Sequence, residues 1–148
     1  MTRDAPLVVR AEMRALPEVL DHVDARALEA GLDRGARFDI RLAVEEIVTN
    51  IIRHGYDEGA PGPVEVACAS SAGALRVAIE DRARPFDPDS APPPDLDSDW
   101  IRRRVGGLGR YLAKSVVDDL THVARDGGGN RWTFSKRVPG GTRELEGT

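Results

Sequence analysis

The 148-residue chain has a single cysteine, Cys68. That rules out an internal disulfide and a cysteine-rich metal site, and fits a reducing, cytoplasmic setting. On its alternating stretch Cys68 reads as a small core residue. The chain has no apolar run near the roughly 18 residues a membrane helix requires, so no membrane association is expected. The opening MTRDAPLVV lacks the apolar core of a signal peptide. There is no basic excess either: the net charge is −4, which argues against direct nucleic-acid binding. GxxxxGK[ST] is missing, and GGLGRY lacks the spacing of a dinucleotide fingerprint. No Ser/His/Asp or Cys/His set suggests itself, His22 and His122 have no partners at metal-ligand spacing, and no internal repeat is found.

What is present is one domain's worth of chain, 41% hydrophobic and 31% charged, ordinary for a soluble globular fold. Leu7 to Met13 reads as a strand. Leu16 to Ala30 has helical spacing and stops at Gly31. Asp33 is placed to cap a second helix running to about His54, closed by Gly55. VEVACA (Val64 to Ala69) and LRVAIE (Leu75 to Glu80) alternate as strands about a hairpin turn at Ser70 to Gly73. A long Pro-containing segment after Asp81 reads as a lid or a disordered loop. Leu108 to Val117 reads as a third helix, and Leu120 to Arg125 with Arg131 to Val138 as a strand pair turned at Asp126-Gly-Gly-Gly. Residues 139 to 148 are expected to be a flexible tail. The order predicts an α+β fold, a two-layer sandwich with a mixed, mostly antiparallel sheet and its helices on one face.

The chemistry centres on the second helix, RLAVEEIVTNIIRHGY from Arg41 to Tyr56. Glu46, Asn50 and His54 recur every fourth residue and form a polar stripe. Magnesium prefers oxygen ligands and takes one or two from protein, the rest from water and phosphate. Asn50 can be that ligand, and Glu46, one turn earlier, can accept a proton from an attacking hydroxyl. The plainer reading is a solvated polar face. Arg53 is a candidate phosphate contact or a solvated side chain, and His54 suits a helix C-terminus for dipole reasons alone. Asp81, ending an apolar strand, can accept a hydrogen bond from the exocyclic amine of adenine, or simply end the strand in a turn. Gly106, Gly107, Leu108 and Gly109 lead into a helix, where glycine amides and the helix N-terminus can close on phosphate oxygens; a flexible loop is the alternative. Arg102 to Arg104 just before them are a phosphate-neutralising or a solvated run. Thr133 is a good strand former unless its neighbours supply a nucleotide pocket.

Together these pieces resemble a known superfamily. EEIVTNIIRHGY resembles the N box, IEDRARPFDP the G1 box and VGGLGRYLAKSVVDDL the G2 box of the Bergerat-fold (GHKL) ATPases and kinases. The single short domain, the PFDP, the GGLG and the ending NRWTFSKRV resemble the RsbW-like branch, the anti-sigma factor serine/threonine kinases. The resemblance covers residues 7 to 138, taken as an ATP-binding kinase domain. It implies Glu46 as general base and Asn50 as magnesium ligand. Asp81 is then the adenine contact, and Arg53, His54, Ala83 and Phe86 are further candidate cofactor-binding residues. Gly106, Gly107, Leu108 and Gly109 become a lid hinge and phosphate cradle, and Thr133 supports the adenine side. The family usually has glycine where this chain has Ala83. If the loop needs positive φ there, alanine costs about 1–2 kcal/mol; otherwise its methyl crowds the adenine plane.

The resemblance implies ATP and Mg2+ as cofactors and phosphoryl transfer to a Ser or Thr on a small partner, chemistry that rests on positioning and electrostatics. It also implies partner switching, with a sigma factor or other effector sequestered and a STAS-type anti-anti-sigma antagonist phosphorylated, and thereby transcription regulation. A homodimer through the N-terminal strand and first helix is a further expectation. The alternative, from a different class, is a nucleotide-binding or pure protein-interaction module without phosphotransfer.

Overall fold

The computed structural model describes residues 2–3, 5–57, 59–71, 73–85 and 109–137. The expected lid, Phe86, Arg102 to Arg104, Gly106 to Leu108 and the expected tail lie outside the described residues. Strands β1 (Thr2–Arg3) and β2 (Leu7–Arg10) lead through a 3-10 turn, Met13–Ala15, into helices α1 (Leu16–Glu29) and α2 (Arg34–Asn50). A π-helical turn, Ile51–Gly55, extends α2. The hairpin β3 (Pro63–Ser71) and β4 (Ala74–Asp81) follows, then α3 (Gly109–Val116), β5 (Asp118–Ala124) and β6 (Asn130–Arg137).

The strands form one sheet ordered β1-β3-β4-β6-β5, with β2 also pairing with β3. Every described pair is antiparallel, so no parallel pairing contributes to the mixed sheet expected above. The first strand is shorter than expected, because the chain leaves the sheet after Arg10 and tightens into the 3-10 turn.

Alternation along the strands decides what faces the helices. Val64, Val66 and Cys68 of β3, Leu75, Val77 and Ile79 of β4, and Trp132 and Phe134 of β6 are buried in one cluster. Val19, Val23 and Ala27 of α1 and Ile40, Ala43, Val44, Ile47 and Val48 of α2 fill the same core. Each fully buried aliphatic or aromatic side chain contributes about 1.5–3 kcal/mol. The sheet therefore has its helices on one face, and Cys68 is a core residue, as its alternation predicts. Asp33 caps α2 by accepting a hydrogen bond from the Ala36 amide at 2.8 Å. The far end of the sheet is pinned by Lys136, whose Nζ donates to Asp39 Oδ2 of α2 at 3.0 Å and to the Val116 carbonyl of α3 at 2.7 Å.

One irregularity matters for the site. The register of β5 against β6 slips between Asp118, opposite Ser135, and Thr121, opposite Thr133. Asp119 in this bulge is left-handed, with φ 52°. An extra residue in one strand reverses which face its later side chains take. Beyond the bulge Thr121 faces outward with Thr133, and His122 faces inward with Trp132; unbulged, His122 would share the outer face with Asp118.

Candidate functional site

Asp81 is the last inward-facing position of β4, after Leu75, Val77 and Ile79. Among the described residues, the buried polar side chains are Asp81 and Asn130, each 2% exposed. A buried carboxylate is costly unless hydrogen-bonded, and these two satisfy each other. Asp81 Oδ1 accepts from the Ala83 amide at 2.8 Å and from Asn130 Nδ2 at 2.9 Å. Asn130 Nδ2 also donates to the Arg84 carbonyl at 3.0 Å, clipping the loop after β4 to the start of β6. No described residue donates to Asp81 Oδ2.

The turn between β5 and β6 presses on the same strand end. A Cβ at Gly129 would lie 2.1 Å from the Asp81 carbonyl oxygen and 2.9 Å from Arg82 Cα. Only a glycine allows that approach, and Gly129 also holds φ at +109°. From this turn Arg125 donates to the Asp81 carbonyl at 3.2 Å.

The loop after β4 is joined directly to the end of α2. Tyr56 Oη donates to the Pro63 carbonyl at 2.7 Å and accepts from the Arg82 amide at 2.8 Å. Arg84 pairs with Asp57 at 2.9 Å. Burial, more than any neighbouring charge, raises the Tyr56 hydroxyl pKa above its ordinary value, which keeps it a neutral linker. The Ala83 methyl meets Gly55, where an added Cβ would sit 2.9 Å from it.

Ala83 therefore escapes both penalties considered above. Asp119 is the one described non-glycine residue with positive φ, so Ala83 has ordinary backbone. It is 4% exposed, with its methyl turned onto Gly55 and almost no surface left to crowd a ligand.

On α2, Glu46 and Asn50 stand one turn apart and half-buried. Glu46 titrates above the usual carboxylate range: burial disfavours its charge, Glu45 adds to the effect, and Arg53 opposes it. A carboxyl raised this way binds a proton more readily than a solvated one, as a general base requires. Arg53 and His54 are exposed and lie in the π turn. Its wider i→i+5 winding takes His54 off the regular four-residue stripe expected from the sequence.

Thr133 is a correction. Its side chain lies on the outer face of the sheet, its Oγ1 2.6 Å from Thr121 Oγ1, while Asp81 faces the helices. The reason is register: Asp81 pairs with Asn130 and Thr133 with Ala78, so Thr133 has the opposite parity and cannot support the Asp81 side. Asn130 does so instead. The flanking Trp132 and Phe134, both apolar, carried the signal that Thr133 points outward. Gly109 is the first residue of α3. Phe86, Gly106, Gly107 and Leu108 lie outside the described residues.

The layered antiparallel α+β arrangement, with Asp81 at a strand end whose loop packs on the turn that follows the Glu46–Asn50 helix, is that of the Bergerat ATP-binding class. The chain belongs to the histidine kinase-like ATPase domain family, which matches residues 9–136. It is similar to the serine-protein kinase RsbW of Listeria monocytogenes serovar 1/2a, 30% identical over 98 residues, covering 64% of this chain and 62% of that protein. Its similarity to the serine-protein kinase RsbW of Staphylococcus aureus strain JH9 is 30% over 94 residues, 60% of this chain and 59% of that protein. The chain thus spans about three fifths of the length of these relatives. The structure of the RsbU and RsbW domains of Rv1364c from Mycobacterium tuberculosis shares the fold, with a TM-score of 0.62 and 23% identity, over 91% of this chain and 33% of that one.

Proposed function

We propose that this protein is an ATP- and Mg2+-dependent serine/threonine protein kinase of the anti-sigma type. The observation that supports it most is Asp81: a buried carboxylate with Oδ1 taken by two donors and Oδ2 facing no described donor. Such an oxygen suits the exocyclic amine of adenine and rejects the carbonyl that guanine carries there. Family membership and the similarity to serine-protein kinases point the same way.

In this reading Asp81 orients the base and Asn50 offers its amide oxygen to magnesium. Among the described residues there is no cluster of three His, Cys, Asp or Glu that could hold a metal. That fits an ion held chiefly by phosphate oxygens and water with a single protein ligand. Bound magnesium supplies charge neutralisation on the phosphates. Glu46 takes the proton of the partner's Ser or Thr hydroxyl as its oxygen bonds to the γ-phosphorus and ADP leaves. Arg53, His54 and Phe86 are further candidate nucleotide contacts, and Gly106 to Gly109 are the expected lid hinge and phosphate cradle. Residues 7 to 138 make up the kinase domain.

The substrate class is a STAS-type anti-anti-sigma antagonist, and the sequestered effector is a sigma factor or a protein in an equivalent role, in the cytoplasm. Incubation with Mg-ATP and the antagonist should yield phosphoserine or phosphothreonine, and Glu46→Gln should abolish it while nucleotide still binds. Absence of transfer by wild-type protein that binds ATP would leave the non-catalytic binding module as the function.

A further inference from the structure

The inner face of the sheet carries a hydrogen-bonded chain that continues past Asn130. Asn130 Oδ1 lies 2.7 Å from His122 Nε2, and the His122 ring packs on Trp132, centroids 4.5 Å apart at 48°. The chemistry of the groups fixes every donor in this chain. Asn130 Nδ2 faces the Asp81 carboxylate at 2.9 Å and the Arg84 carbonyl at 3.0 Å. Both are acceptors, so the NH2 end of the amide must point at them and the oxygen must point at His122. An amide oxygen only accepts, so His122 Nε2 carries the hydrogen. Three adjacent strands thus pass one polarity inward: His122 of β5 donates to Asn130 of β6, and Asn130 donates to Asp81 at the end of β4.

We propose that His122 is a positioning residue for purine recognition, acting through Asn130 on Asp81. This rests on the adenine-binding reading of Asp81 and goes beyond it. Asp81 and the Arg84 carbonyl set the flip of the Asn130 amide, and the His122 N–H seats its oxygen, fixing where the NH2 meets the carboxylate. So seated, the Asn130 NH2 joins the Ala83 N–H on Asp81 Oδ1, and Oδ2 is kept as the oxygen offered to the base. In the opposite flip, the Asn130 oxygen would face the carboxylate and the Arg84 carbonyl, and the loop after β4 would lose its clip. The bulge at Asp119 makes the chain possible, since it alone turns His122 to the inner face.

The test compares ATP and GTP binding by calorimetry for the wild-type chain, His122→Phe and His122→Gln. Phenylalanine keeps a ring against Trp132 and removes the donor. Glutamine restores an N–H at the Nε2 position. His122→Phe should weaken ATP about tenfold, the loss of roughly one net hydrogen bond, and narrow the ATP-over-GTP preference. His122→Gln should recover most of both. Equal ATP affinity and preference in wild type and His122→Phe would overturn the inference while leaving Asp81 as the adenine contact. Failure of His122→Gln to recover either quantity would assign His122 a packing role and overturn it as well. Wild-type protein that binds no ATP would overturn both readings. Long-range 1H–15N NMR of the histidine rings is independent of nucleotide: a His122 ring without hydrogen on Nε2 breaks the chain whatever the binding data show.

Discussion

Substituting Gly129 by alanine should cost more than the same change one residue earlier. Gly128 and Gly129 share φ +109°, so placing an L-residue at either carries a similar backbone penalty, about 1–3 kcal/mol. Their surroundings differ. A Cβ at Gly128 meets nothing within 4 Å, whereas one at Gly129 lies 2.1 Å from the Asp81 carbonyl oxygen, 2.9 Å from Arg82 Cα and 3.0 Å from the Asp81 carbonyl carbon. Those atoms are backbone and cannot swing aside, so the turn must lift off the end of β4. Lifting it strains the Arg125 bond to the Asp81 carbonyl and the Asn130 bond to the Arg84 carbonyl. One or two hydrogen bonds lost at about 0.5–1.5 kcal/mol each put Gly129→Ala about 0.5–3 kcal/mol below Gly128→Ala.

At about 2–4 °C per kcal/mol for a domain of this size, the two variants should separate clearly in thermal or urea unfolding. Nucleotide affinity should fall in Gly129→Ala and hold in Gly128→Ala, because only the former displaces the carboxylate's support. Equal destabilisation would refute the reasoning, since it would mean that the close approach at Asp81 contributes nothing. So would a stable Gly129→Ala protein with undiminished ATP binding.

Ala83→Gly should destabilise the fold by about 1–2 kcal/mol, from a lost buried methyl and greater unfolded-chain freedom. It should leave ATP affinity unchanged by calorimetry; binding about tenfold tighter would show that the methyl does obstruct the base. The raised Glu46 pKa has a definite sign: the native state holds that proton more tightly than the unfolded chain. Its contribution therefore favours folding below the ordinary Glu range and is lost as pH rises through the raised value, so ionised Glu46 opposes folding at neutral pH. Glu46→Gln should accordingly melt higher than wild type at pH 7.5, with the gap closing toward about pH 4, near the unperturbed Glu value. A gap of the same size at both pH values would contradict the assignment.

How much was legible depended on the range of the information. The α2 cap at Asp33 and the Glu46–Asn50 spacing are local, and the structure keeps both. Asp81 was legible because Leu75, Val77 and Ile79 set the inward parity that it continues. The same rule applied to Trp132 and Phe134 would have turned Thr133 outward and promoted Asn130. There the local pattern, rather than the resemblance, gives the face that the structure shows. His122 shares the parity of Leu120, which packs on the core, but its bond to Asn130 depends on the register across the Asp119 bulge, and nothing in DDLTHVA announces a left-handed aspartate. The role of Tyr56 was equally out of reach, since its partners, the Pro63 carbonyl and the Arg82 amide, are set by tertiary packing. The π turn after Asn50 is a choice between i+4 and i+5 bonding that the residues IIRHG do not make visible.

The supporting groups around Asp81 also bear on the kind of ligand it can read. Both donors to its carboxylate are neutral, an amide side chain and a backbone N–H, and among the described residues it forms no ion pair. The nearby cation, Arg125, is engaged elsewhere, on the Asp81 main-chain carbonyl and at 3.9 Å from Glu80. A guanidinium would take both carboxylate oxygens in a bidentate pair and leave neither for a ligand. Two neutral donors on one oxygen hold the group in place and leave the second oxygen's acceptor strength intact. A buried acceptor held this way discriminates chiefly by what it leaves unpaired: a ligand presenting a carbonyl there desolvates the oxygen without a bond, at about 1–3 kcal/mol or more for a charged group, whereas an amine satisfies it. Neutral support thus leaves one carboxylate oxygen free to accept from an amine such as adenine's, which a bidentate ion pair within the protein would not.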